Sequence, residues 1–205
     1  MVKSIYLYGA SGHGLVCADI ARACGYEQII FLDDAKKISD KHGEILPFSP
    51  ELKKHDIFIS IGDCALREKL QIKVQNAGFN VVNLIHPSAI ISSSASLGVG
   101  VCVMPNAVIN AYAKIHDGVI INTSAIIEHE CDIGAFSHIC PGSKIAGASK
   151  IGSRVWLGIG SNVIQCLNIA DDAYIGAGSV VIKDIPSGVK AYGNPCKVWG
   201  QINQG

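Results

Sequence analysis

Glu128-His129-Glu130 is the segment whose residue types most plainly allow catalysis. An imidazole beside a carboxylate gives one ring N–H to the acid. That fixes the tautomer and leaves the other nitrogen as a base near neutral pH. Glu128 and Glu130 can each supply the acid. A second cluster lies near the N-terminus, where Gly9-Ala10-Ser11-Gly12-His13-Gly14 closes the apolar run Ser4-Ile5-Tyr6-Leu7-Tyr8. Glycines let the backbone approach a phosphate, and a helix starting there turns free N–H groups towards an anion. The order is not the G-x-G-x-x-G dinucleotide fingerprint, which argues against a nicotinamide-dependent oxidoreductase. Asp33-Asp34 end the next apolar run about twenty residues on, where an acid can bond a ribose hydroxyl or a base edge. Gly62-Asp63 end a third run.

The elements that must position these groups follow two grammars. Through residue 85, strand-like runs alternate with helical ones: a helix over Leu15 to Ala23, strands at Ile29 to Leu32 and Asp56 to Ile61, a helix over Ala65 to Ala77, and a strand over Asn80 to Ile85. This alternation predicts a Rossmann-like α/β domain with a parallel sheet. Its carboxyl strand ends carry all three polar motifs, as ligand sites in open sheets do. Residues 34 to 54 are polar and poorly periodic and read as a variable loop.

From Ile91 every sixth residue through Val181 is Ile, Leu or Val, sixteen in succession. With about a quarter of positions aliphatic, chance produces such a run less than about once in a billion. Four residues after each of these, small residues dominate, with Leu167 as the bulky exception. This is a solenoid signature. Three short strands make a triangular coil of eighteen residues, with the aliphatic side chains inside and the small ones at the corners. The domains are therefore drawn at 1–85 and 86–205, the second ending in a cap rich in Gly and Pro.

Eighteen then becomes a ruler. His129, two residues after an inward aliphatic, projects outward. One coil on, at the same corner, is Gly147, and one coil back is Ala111. That leaves open space above the imidazole and a Gly147 N–H that a carbonyl could approach. His138, nine residues on, falls on another face. It can meet His129 only across a subunit interface, which points to a three-fold oligomer. His116, His129 and His138 lie on different faces of one chain, so they do not make a zinc site.

The bulk numbers narrow the function classes. The 205 residues carry 17 basic and 17 acidic side chains. That balance lacks the basic field that drives nucleic-acid or anionic-membrane binding. No apolar run approaches the roughly 20 residues that span a bilayer, and the N-terminus lacks a signal-peptide pattern, so a cytoplasmic location is expected. None of the eight cysteines forms a C-x-x-C pair; they read as reduced and mostly buried.

Taken together, Tyr8-Gly9-Ala10-Ser11-Gly12-His13-Gly14, Phe31-Leu32-Asp33-Asp34, Asn83-Leu84-Ile85-His86, Asn122-Thr123-Ser124, Ile127-Glu128-His129-Glu130-Cys131 and Phe136-Ser137-His138 resemble the bacterial UDP-4-amino-sugar N-acetyltransferases, within the sialic-acid O-acetyltransferase family of sugar O-acyltransferases. The resemblance covers nearly the whole chain. It implies a nucleotide-sugar domain, a left-handed parallel β-helix, and a homotrimer with active sites between subunits. It further implies acetyl-CoA as co-substrate and no metal. His129 would match the catalytic base and Glu130 the acid that raises its basicity. His138, Gly147, Ile159 and Ala177 would match acetyl-CoA contacts. Ser11, Gly12, His13, Asp33, Asp34, Ile61, Gly62 and Asp63 would match the pocket for a UDP-amino-sugar. Ala177 replaces a glycine of a relative, and Asp63 an asparagine. The reaction this implies is acetylation of a UDP-4-amino sugar to a UDP-N,N'-diacetylbacillosamine-type product. The alternatives are sugar O-acetylation, in which the same base would serve, and a non-enzymatic nucleotide-sugar-binding solenoid.

Overall fold

The computed structural model describes residues 2–35 and 37–202. The chain forms two compact units, Met1–Pro87 and Ser88–Gly205.

In the first, β1 (Ser4–Tyr8), α1 (Gly12–Ala23), β2 (Gln28–Leu32), β3 (Ile38–Ser39), β4 (Gly43–Leu46), β5 (Asp56–Ile59), α2 (Cys64–Asn76) and β6 (Asn80–Val81) build a sheet of order β3-β4-β2-β1-β5-β6. All neighbours are parallel except β3 and β4. β1 is buried along its whole length, as a central strand covered on both faces must be. It pairs with β2 on one side and β5 on the other. The strand order therefore reverses about β1, which makes a crevice at the carboxyl ends of β1 and β5. The glycine segment leaves β1 there, and Ser60 to Asp63 leave β5.

Two expectations need correction in this unit. The polar stretch 34–54 is not all loop: β3 and β4 form a hairpin turning at Gly43 (φ +70°) and extend the sheet edge. Within β4 only Ile45 is buried, so no alternation marked the strand. The run Asn80 to Ile85 is two short strands, β6 and Leu84–Ile85, because the chain leaves the sheet after the Val82 amide bonds the Ile57 carbonyl (3.1 Å).

The second unit is a parallel β-helix of two-residue strands stacked at intervals of eighteen residues, in three sheets. One interior column runs Ile109, Ile127, Ile145, Val163, Val181, and another Ile115, Ile133, Ile151, Ile169. These side chains are essentially inaccessible to water. The corners are fixed twice over. Buried hydroxyls bond carbonyls of the next coil, as Ser143 Oγ does to Gly158 O (2.9 Å) and Ser161 Oγ to Gly176 O (3.0 Å). A left-handed corner residue also gives its N–H to the coil before: Glu130 N to Ala111 O, Ala148 N to His129 O, Cys166 N to Gly147 O, at 2.9–3.0 Å. Val189–Tyr192 continues one sheet, and Lys197–Gln201 returns antiparallel to it, which caps the last coil.

Candidate active site

At the corner between strands Ile126–Ile127 and Asp132–Ile133, His129 stands exposed. Its Nδ1 lies 3.1 Å from Glu130 Oε2. A carboxylate only accepts, so Nδ1 donates and Nε2 keeps its lone pair. Glu130 is at φ +59°. Glu128 faces instead a cleft of about 340 Å³ on the adjoining sheet face, which it lines with Ile126, Lys144, Asn162 and Gln165.

Gly147 lies one coil on at the same corner, against the His129 ring. A methyl group built there would lie 2.5 Å from His129 Nε2 and 2.6 Å from Cε1. The imidazole itself covers the glycine. Ile159 and Ala177, both exposed, lie eighteen residues apart at a different corner. Strands Lys144–Ile145 and Asn162–Val163 run between that corner and the one at His129, so the two corners border one face.

His138 is elsewhere. It is 4% exposed, on the strand His138–Ile139, with its ring edge-on to Trp156 (4.6 Å between centroids). Its Nε2 is 2.9 Å from Asn122 Nδ2, while Asn122 Oδ1 accepts the Thr123 N–H (2.8 Å). The Thr123 bond fixes which end of the amide is NH₂, so Asn122 donates to Nε2, and the proton of His138 sits on Nδ1.

The α/β unit sorts its polar residues into those with structural work and those without. Gly9 and Gly14 are set by packing. A Cβ on Gly9, at φ +130°, would meet Ile61 Cγ1 at 2.5 Å, and one on Gly14 would strike the Gly9 carbonyl. Nothing lies within 4 Å of a Cβ built on Gly12. Ser11, at the N-cap of α1, makes no side-chain cap bond. Asp33 accepts the Ala10 and Ala35 N–H groups and so holds the glycine segment (3.2 and 3.0 Å). Asp34 binds Tyr8 Oη (2.5 Å), Lys73 Nζ (3.1 Å) and Phe48 N (3.0 Å). Burial and the hydrogen bond to Asp34 together push the Tyr8 phenol up to about 12. Asp63 caps α2, accepting Leu66 N (2.8 Å). His13 is largely buried. Desolvation first, then the nearby Arg67 charge, lowers its pKa to about 4, so the ring is neutral.

Comparisons with known proteins decide the family. The PglD N-terminal domain matches residues 4–74. The structure of PerB from Caulobacter crescentus, with CoA and GDP-perosamine, superposes with a TM-score of 0.93 at 38% identity, over 98% of this chain and 99% of that one. The chain belongs to the bacterial sugar N-acetyltransferases. The PglB acetyltransferase domain of Neisseria gonorrhoeae FA1090, solved with acetyl coenzyme A, matches with a TM-score of 0.90 at 36% identity, over 97% and 100% of the two chains. A Bacillus subtilis UDP-N-acetylbacillosamine N-acetyltransferase is 32% identical over 112 residues, 50% of this chain and 52% of that protein. The chain is thus matched over about half the length of this curated relative. The PerB and PglB solenoids are left-handed β-helices, and the coil here has the same hand.

For a sugar N-acetyltransferase, the sequence missed two groups. Arg67, fully buried, donates from one guanidinium nitrogen to the carbonyls of Ile61, Gly62 and Asp63 (2.8–3.2 Å). Ser60 Oγ bonds the Gly9 carbonyl (2.9 Å). An arginine four residues after a helix cap is a weak signal, but its placement one turn beyond Gly62-Asp63 is the kind of spacing that reaches back to a loop. No helix among the described residues is long and apolar enough to cross a membrane.

Proposed function

We propose that the protein transfers the acetyl group of acetyl-CoA to the 4-amine of a UDP-4-amino-4,6-dideoxy-N-acetylhexosamine, giving a UDP-N,N'-diacetylbacillosamine-type product. The observation that carries this reading is the exposed His129 ring, oriented through Nδ1 by Glu130 with Nε2 left as acceptor. The amine nitrogen attacks the thioester carbonyl, so an N–C bond forms and the C–S bond breaks. His129 Nε2 takes the proton that the attacking nitrogen loses and returns it to the departing sulfur. Transfer is direct. Cys131, adjacent in sequence, is buried, and desolvation raises its thiol pKa, which leaves little thiolate for a covalent step.

Acetyl-CoA occupies the outer surface of the β-helix, with Ile159 and Ala177 as contacts. The cleft of about 340 Å³ lined by Glu128, Ile126 and Ile164 and the exposed Ile159 side chain fit an extended, partly apolar chain. The two corners point outward from opposite edges of one face, which suits a homotrimer whose grooves are shared by neighbours. His138 is a further acetyl-CoA contact. The α/β unit takes the sugar nucleotide. Gly12 and Ser11 offer an open helix start, and His13, Asp33, Asp34 and Ile61-Gly62-Asp63 form the frame around it.

A GDP carrier is a second reading, favoured by the near full-length match to a GDP-perosamine complex. One experiment separates the readings. Thiol release from acetyl-CoA is followed with UDP- and GDP-linked 4-amino sugars and with their 4-hydroxy counterparts. Turnover only with a UDP-amino sugar supports the proposal, and preference for a hydroxy sugar or no thiol release with any acceptor overturns it. Light scattering that gives a monomer in the active preparation removes the trimer.

A further inference from the structure

The contact between His129 and Gly147 has a consequence for the base, given the reading of His129 above, on which it rests. An exposed imidazole held by one hydrogen bond can still swing about that bond. Here the second restraint is the bare face of Gly147. The three atoms nearest a Cβ built at 147 are Nε2, Cε1 and Cδ2 of His129, at 2.5, 2.6 and 3.1 Å. Real Cβ atoms do not approach other atoms that closely, so ring and methyl group cannot both keep their places. The backbone of Gly147 is not in the left-handed region, so glycine is not demanded by φ. Its carbonyl accepts Cys166 N (3.0 Å), and the next amide, Ala148 N, bonds His129 O (2.9 Å). The floor under the ring is therefore tied to the coils on either side of it.

We infer that Gly147 is a positioning residue for the base. The absence of a side chain there lets the Nε2 end of the His129 ring come against the next coil, and the Glu130 bond together with that floor fixes where Nε2 points. This differs from a role in gripping acetyl-CoA through the Gly147 N–H, and the two predict different kinetics. A displacement near 1 Å at a reacting group costs about 10²-fold. Gly147→Ala should lower kcat by about 10- to 100-fold, with KM for acetyl-CoA changed less than about two-fold and the melting temperature unchanged. Its effect cannot exceed that of His129→Ala, because it acts through the same ring.

The test is a double-mutant cycle over His129→Ala and Gly147→Ala, read by kcat, by calorimetry of CoA binding, and by the His129 ring signal in a ¹H–¹³C spectrum. That signal is identified by its disappearance in His129→Ala. Expected are a shifted ring signal in Gly147→Ala, unchanged CoA affinity in all four proteins, and no further loss of rate when Gly147→Ala is added to His129→Ala. A ring signal unmoved by Gly147→Ala overturns the inference. So does weakened CoA binding of equal size in both backgrounds, which assigns Gly147 to the co-substrate. Should His129→Ala itself turn over normally, the base assignment fails, while the ring signal still reports whether Gly147 seats the imidazole.

Discussion

The corner at His129 and the loop after β1 are both places where polar groups are displayed, yet they are held by opposite means. At the corner the backbone does the holding. The bonds Glu130 N to Ala111 O, Ala148 N to His129 O and Cys166 N to Gly147 O are one bond repeated at eighteen-residue intervals. The ladder is the same although the side chains at the equivalent positions differ, as those of His129, Gly147 and Gln165 do. Among the described residues, the loops of the α/β unit have no such ladder. Beside the backbone bond from Gly9 N to Leu32 O, the glycine segment is fixed by single side chains, Ser60 on the Gly9 carbonyl and Asp33 on the Ala10 amide, and the β5–α2 loop by Arg67 on three carbonyls. Where repetition sets the geometry, function and stability can be changed separately. Where side chains set it, the two move together.

The largest effect tests the first half of that contrast. His129→Ala should lower kcat by about 10²–10⁴-fold, the range for a lost general base, with an unchanged melting temperature. A melting point that drops by more than a few degrees would show that the corner depends on its side chains after all. The second tests the other half. Arg67→Met leaves three loop carbonyls without their cationic donor in a buried site. Hydrogen bonds to charged groups contribute about 1.5–3 kcal/mol each and buried unmet acceptors cost about 1–3 kcal/mol. A loss of about 3–5 kcal/mol in urea unfolding is expected, with a raised KM for the sugar nucleotide and an unchanged KM for acetyl-CoA. Loss of stability alone would mean that the β5–α2 loop is not part of the nucleotide site.

The same contrast explains what could be read from the residues. The hexad pattern exposed the β-helix because each coil must bury one aliphatic per side, and counting by eighteen put Gly147 beside His129 for the same reason. Counting could not tell which outward positions are covered. His138 is buried by Trp156 and tied to Asn122, sixteen residues away, a contact that no period announces. Nor could it choose between Glu128 and Glu130. In the structure it is Glu130, the residue at left-handed φ, whose carboxylate reaches the ring, while Glu128 lines the cleft. In the α/β unit the strand–helix order was legible from apolar runs. The β3–β4 hairpin and the work of Ser60 and Arg67 were not, because each rests on a single tertiary contact.

A third test uses pH. His13 has a folded pKa near 4 against 6.5 for the free side chain, chiefly from desolvation and then from Arg67. A depressed histidine contributes stability that is fully present above about pH 6.5 and is lost as pH falls towards 4. At about 1.4 kcal/mol per unit the whole shift is worth about 3 kcal/mol, and the buried ring makes solvent screening small. Urea unfolding at pH 7 and pH 4.5 should therefore show the wild-type protein losing more stability than His13→Gln. Equal losses would place the acid sensitivity in carboxylates rather than in His13.

The smallest effect bears most closely on whether structure and function are coupled at the β5–α2 loop. Asp63 caps α2 through Leu66 N. Removing such a cap costs about 1 kcal/mol, whereas asparagine caps about as well as aspartate. Asp63→Ala should thus lose about 1 kcal/mol, and Asp63→Asn almost nothing. The informative quantity is KM for the sugar nucleotide in the asparagine variant. An unchanged value makes Asp63 a cap that shapes the loop from behind. A rise of several-fold with stability intact would mean that the carboxylate itself meets the ligand, and that one side chain in this unit holds the loop and reads the substrate. In the mechanism proposed above, the corner at His129 divides those two tasks, between a backbone ladder that holds and an imidazole that reacts.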